Sequence, residues 1–120
     1  MSTDHETGPF LCRLDDIPDG GAKSFWFGEG TRRRGIFLLR RGAEIVAYVN
    51  ACPHIGTPLN FLGDRFLDRN GELILCATHG ALFRIPDGFC VRGPCAGARL
   101  TPVRTIRFED AIFLAQDHRV

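Results

Sequence analysis

The sequence predicts an all-β protein, and three observations predict it. Its apolar residues fall in short runs rich in Ile, Val, Phe and Tyr rather than in a helical stripe. Glycine, proline, asparagine and aspartate punctuate those runs at short intervals. No amphipathic stretch exceeds two helical turns. The architecture this pattern supports is a set of small antiparallel sheets of short strands packed together.

Residues 1–9 are polar and contain Gly8 and Pro9, so they read as a flexible tail in which His5 is solvated. Phe10 to Leu14 is the first expected strand, closed by the turn-rich segment Asp15 to Gly21; Ala22 to Phe27 is the second, with Phe25, Trp26 and Phe27 as packing residues. The run Thr31-Arg32-Arg33-Arg34 reads first as a solvated loop and second as a basic patch for an acidic partner. Gly35 to Arg41 and Glu44 to Asn50 form a hairpin around Gly42-Ala43.

Phe61 to Asp68 reads as a helical turn followed by a strand. Asn70-Gly71 is a hairpin turn signal, and Glu72 to Leu75 is the returning strand. Asp64, Asp68 and Glu72 read as solvated hairpin charges. Ala81 to Ile85 and Phe89 to Val91 pair around Pro86-Asp87-Gly88. Alternation across Leu100 to Phe108 predicts a strand with Ile106 and Phe108 inward, followed by Glu109-Asp110 and a last strand from Ala111 to Ala115. His118 belongs to a polar tail.

The chain of 120 residues is expected to form a single domain. With 44% apolar residues, 24% charged residues and a formal net charge of +1, nothing in the balance points to nucleic acid. The apolar runs are far shorter than a membrane span, and the polar N-terminus lacks a signal-peptide core, so the expected location is cytoplasmic. No nucleophile stands beside a base, and neither paired carboxylates nor a phosphate-binding glycine loop is present, so catalysis by this chain alone is not expected.

Chemistry concentrates in two short stretches. Cys52-Pro53-His54 is answered, across residues 55–75, by Cys76-Ala77-Thr78-His79. Each offers one thiolate and one imidazole and is followed by small or turn-forming residues: Gly56, Thr57 and Pro58 in the first, Gly80 and Ala81 in the second. Two sulfur and two nitrogen donors suit a tetrahedral zinc ion or an iron–sulfur cluster with mixed ligands. In a zinc finger the cysteines usually share one knuckle and the histidines one helix. Here the types alternate, which suits a binuclear cluster with both thiolates on one iron and both imidazoles on the other.

The order closely resembles the signature of the Rieske [2Fe-2S] family, and the likeness extends over residues 44–108, including Gly80 and a later Gly93-Pro94 segment. The resemblance implies the Rieske iron–sulfur fold, with two ligand loops and a proline-containing third loop forming a cluster-binding tip. It also implies one [2Fe-2S] cluster held by Cys52, His54, Cys76 and His79. Members in respiratory complexes carry an extra cysteine in each loop; the matching positions here are Thr57 and Thr78. With Cys52 and Cys76 as ligands, Cys12, Cys90 and Cys95 remain, an odd number that argues against a disulfide framework.

The chain therefore looks like the soluble branch, similar to the Rieske ferredoxins of oxygenase systems: a one-electron carrier between a flavin-containing reductase and a terminal oxygenase. The competing readings are a small subunit of a larger reductase or oxygenase and, from another class, a zinc-stabilised interaction module. Rieske domains of oxygenases typically place Arg after the first ligand histidine and Trp after the glycine that follows the second, where this chain has Ile55 and Ala81. High-potential relatives carry Ser and Tyr where this chain has Ala81 and Phe83, so the resemblance implies a low potential.

Overall fold

A computed structural model describes residues 7–28, 30, 33–53, 56–60, 63–78 and 80–115. Among the described residues, nine strands run in chain order: β1 (Thr7–Arg13), β2 (Ala22–Phe27), β3 (Arg34–Arg41), β4 (Glu44–Val49), β5 (Leu73–Leu75), β6 (Leu82–Arg84), β7 (Cys90–Arg92), β8 (Thr105–Phe108) and β9 (Ala111–Ala115). They form three antiparallel sheets of three strands each, in the orders β1-β9-β8, β2-β3-β4 and β5-β6-β7. Among the described residues, helical structure is confined to the single 3₁₀ turn Leu14–Asp16, and no helix is long and apolar enough to cross a membrane.

Strand β3 explains the layering. Its residues Gly35 to Leu39 are all buried, as expected of a strand covered on both faces. Because side chains alternate, Phe37 and Leu39 enter one core and Ile36 and Leu38 the other. The first core joins β3 and Tyr48 of β4 to Leu59, Phe66, Ile74, Phe83, Ile85 and Leu100. Phe37 stacks on Phe66 with centroids 4.3 Å apart. Tyr48 spans this core and donates its hydroxyl hydrogen to the Ile85 carbonyl at 2.5 Å. The second core joins the opposite face to Cys12, Ile17, Val103, Ile112 and Leu114.

Several sequence expectations shift. Strand β1 begins at Thr7, so residues 7–9 of the expected tail are strand; residues 1–6 and His118 lie outside the described residues. In the expected turn-and-strand segment, Phe61 and Leu62 lie outside the described residues, and the returning pairing is an isolated bridge between Leu67 and Ile74.

The inward face of β8 is also reversed. Thr105 pairs with Leu114 and Arg107 with Ile112, so those residues share the core side, while Ile106 and Phe108 face outward with Phe113. Phe108 is 60% exposed and packs no core. The alternation was real, but a strand at the edge of a sheet leaves its inward face partly wet, so Arg107 is tolerated there.

Two of the hairpin carboxylates, exposed Asp64 and half-buried Asp68, also accept hydrogen bonds within the fold. Asp64 accepts the Ser24 backbone N–H at 2.8 Å and the Ser24 hydroxyl at 2.6 Å. Asp68 accepts the N–H groups of Glu72 at 3.0 Å and Leu73 at 3.2 Å, closing the turn that Asn70-Gly71 begins.

Candidate metal centre

Cys52 follows the end of β4, and Cys76 follows directly on β5, so two strand ends deliver the two thiols. The loops they open have matching backbone hydrogen bonds. Cys52 N–H donates to the Thr57 carbonyl at 2.8 Å, and Cys76 N–H donates to the Ala81 carbonyl at 2.9 Å. Gly56 N–H returns to the Cys52 carbonyl at 2.7 Å, and Gly80 N–H returns to the Cys76 carbonyl at 2.9 Å. Both glycines hold positive φ, +78° and +74°, a backbone region that disfavours side chains. Cys52 with Gly56 and Thr57, and Cys76 with Gly80 and Ala81, therefore close with the same pair of backbone bonds.

A further bond, Ala77 N–H to the Leu59 carbonyl at 2.8 Å, ties one loop to the other. Asn50 fixes the base of the first loop. It is 4% exposed, accepts the Leu59 N–H at 2.8 Å and donates its side-chain amide to Asn60 at 2.9 Å. Sequence reasoning missed it, because its partners stand nine and ten residues further on with no motif to announce them.

Cys52 and Cys76 are buried at 2% and 0% exposure and belong to one core cluster with Cys90, Cys95 and Ala81. None of the five cysteines is in a disulfide. His54 and His79 lie outside the described residues.

The third loop is brought in by β7. Gly93 has φ +101°, and a Cβ added there would stand 2.7 Å from Ala81 Cα, so the loop rests directly on the backbone of the second cysteine loop. Cys95 in this loop is buried, with its Sγ 3.1 Å from Cys90 Sγ, while the Cys90 thiol donates to the Arg92 carbonyl at 3.2 Å. Burial, followed by the contacts with Cys90 and Cys52, pushes the Cys95 thiol up to about 12. A protonated, buried thiol is unreactive, which agrees with the packing reading of Cys95. Cys12 is likewise raised, first by burial and then by Asp16, and sits in the other core.

The donor chemistry fits a metal–sulfur group. Two thiols stand buried in paired, glycine-closed cradles, and the Thr57 hydroxyl in the first cradle is buried with no hydrogen-bond partner among the described residues. Among the described residues, no three or more His, Cys, Asp or Glu side chains cluster so as to hold a metal ion.

Comparison with known proteins agrees. The sequence model of the Rieske [2Fe-2S] domain family matches residues 9–107. No curated protein matches the chain. Among solved structures, the ferredoxin of carbazole 1,9a-dioxygenase from Nocardioides aromaticivorans IC177 is 20% identical with a TM-score of 0.70, over 91% of this chain and 97% of its own. The Sphingomonas yanoikuyae B1 ferredoxin is 18% identical with a TM-score of 0.67, over 90% and 97%. A complex of reduced oxygenase and oxidized ferredoxin in carbazole 1,9a-dioxygenase contains a chain 19% identical with a TM-score of 0.70, over 93% and 95%. At such identities these structures establish the fold.

Proposed function

Because the chain belongs to the Rieske [2Fe-2S] domain family and so carries one [2Fe-2S] cluster, we propose that it is a one-electron carrier that passes electrons from a flavin-containing reductase to a terminal oxygenase. The observation that carries this reading is the pair of matching loops, each opened by a buried cysteine and closed by a positive-φ glycine. When bound, the cluster takes up and releases one electron. The proposed ligands are Cys52 and Cys76 on one iron and His54 and His79 on the other.

The chain's own part is to hold and insulate. Backbone bonds within the loops fix both cysteines, the Ala77–Leu59 bond sets the two loops against each other, and the Gly93–Cys95 segment covers them from the side. Two imidazoles in place of two thiolates leave the oxidised centre formally neutral, which eases reduction relative to an all-thiolate cluster.

In this reading the chain is a carrier rather than a catalyst. We take residues 1–120 as one domain. The setting that suits this reading is cytoplasmic, with neither nucleic acid nor membrane as a partner. Oxygenase-associated ferredoxins among the structural neighbours support the choice of acceptor.

The ligand assignment is tested by substitution. Cys52→Ser and Cys76→Ser proteins are expected to lose the visible absorption of the cluster and to melt at markedly lower temperature, since the bound group contributes to folding free energy. Cys12→Ser is expected to retain the cluster. A coloured Cys52→Ser protein of normal melting temperature would contradict the assignment.

A further inference from the structure

The arginine run identified in the sequence ends beside the first cysteine loop. Trp26 on β2 pairs across the sheet with Gly35 on β3, and its ring lies over that glycine, where a Cβ would come within 2.7 Å of the indole. The Arg33 guanidinium stacks on the same ring at 4.3 Å. Trp26 is left 40% exposed, and with Arg33 and Arg34 it forms one wall of a groove of about 420 Å³. The opposite wall is the first loop itself, with Ala51, Gly56 and Pro58 flanking Cys52.

We propose that this groove docks an acidic surface of the protein that exchanges electrons with this chain, a proposal that rests on the carrier reading above. Three features select that occupant. Five of the lining residues, Trp26, Arg33, Arg34, Gly56 and Pro58, are exposed, so the groove is an open shelf suited to a protein surface rather than an enclosed small-molecule pocket.

Its charge is cationic. A guanidinium held over an indole keeps donors that match a carboxylate, and Trp and Arg are among the side chains that most often dominate protein interfaces. Among the described residues that line the groove there is no carboxylate, and Asp64, bonded to Ser24 on β2, lies outside that lining. Position is the third feature: a partner seated here contacts the loop that holds Cys52, which shortens the electron path.

The test uses two arginines at opposite ends of one strand. Arg33 immediately precedes β3, and exposed Arg41 ends it, about 23 Å or more away at the usual rise per residue. That separation exceeds two Debye lengths at about 0.1 M ionic strength. Arg33→Glu and Arg41→Glu change the net charge equally.

The readout is stopped-flow oxidation of the reduced protein by hexacyanoferrate(III), an anion, and by tris(phenanthroline)cobalt(III), a cation. At about 0.1 M ionic strength, Arg33→Glu is expected to slow the anion roughly threefold or more and to speed the cation, with Arg41→Glu close to wild type. Polyglutamate is expected to compete with the anion in wild type and Arg41→Glu, and not in Arg33→Glu. Equal behaviour of the two variants, or a wild type indifferent to polyglutamate, would overturn the proposal.

Trp26, the chain's only tryptophan, gives a second readout that does not depend on electron transfer. Polyglutamate should shift its emission in wild type and not in Arg33→Glu. A protein that lacks the cluster but shows this shift would defeat the carrier reading and leave the groove standing. A clustered protein with no shift would do the reverse.

Discussion

Gly93 and Ala81 show how much of the centre rests on single residues. Gly93 combines a φ of +101° with direct contact against the Ala81 backbone, so a methyl group there meets both conformational strain and a steric clash. Gly93→Ala is expected to destabilise the protein by about 1–3 kcal/mol and to loosen the cluster by lifting the third loop; thermal melts and the rate of bleaching in air measure both.

Ala81 and Phe83 are fully buried and carry no hydroxyl, so the potential is expected to lie low in the family's range, nearer roughly −150 mV than +300 mV. A hydrogen bond to sulfur favours the more negative reduced cluster. If each restored bond is worth about 1–2 kcal/mol, Ala81→Ser and Phe83→Tyr should each raise the potential by roughly 40–90 mV, at about 59 mV per tenfold for one electron. Voltammetry at neutral pH checks this, and an unchanged or lowered potential in both variants would contradict it.

Loops and strands differed in how far the sequence disclosed them. The cysteine loops were legible because their chemistry is local: a thiol, an imidazole and a turn-forming glycine within five or six residues. The structure adds that Gly56 and Gly80 return matching bonds to the Cys52 and Cys76 carbonyls, both at positive φ. Asn50 was invisible for the opposite reason, since its role lies in partners brought in by the fold.

Asn50→Ala should therefore cost about 1–3 kcal/mol, because the buried Leu59 N–H loses its acceptor; denaturant unfolding of the clustered protein measures it, and a loss under about 0.5 kcal/mol would make the bond incidental. The face of β8 was misread because period-two alternation marks two faces without saying which is wet. Only its pairing with β9 decides that. Asp64 is exposed as a hairpin charge should be, but its bonds to Ser24 were hidden because that partner stands 40 residues earlier.

At the scale of the molecule, three small sheets make two cores around β3, and the cysteine loops and third loop belong to only one of them. That core is held by aromatic packing of Phe37, Phe66 and Tyr48, so the site is fixed to the rigid centre of the fold rather than to its edges. The all-β class and the hairpin between Gly35 and Asn50 were readable from short apolar runs and turns. The division into three sheets was not, because nothing local tells β1 to pair with β9 across nearly the whole chain.

Whether this scaffold holds a mixed-ligand [2Fe-2S] cluster is decided by iron, sulfide and spin-resonance analysis of one purified sample. The expected result is about two irons and two sulfides per chain, with a reduced-state signal of the mixed histidine–cysteine type. Stoichiometric zinc without iron, after expression with ample iron, would contradict it.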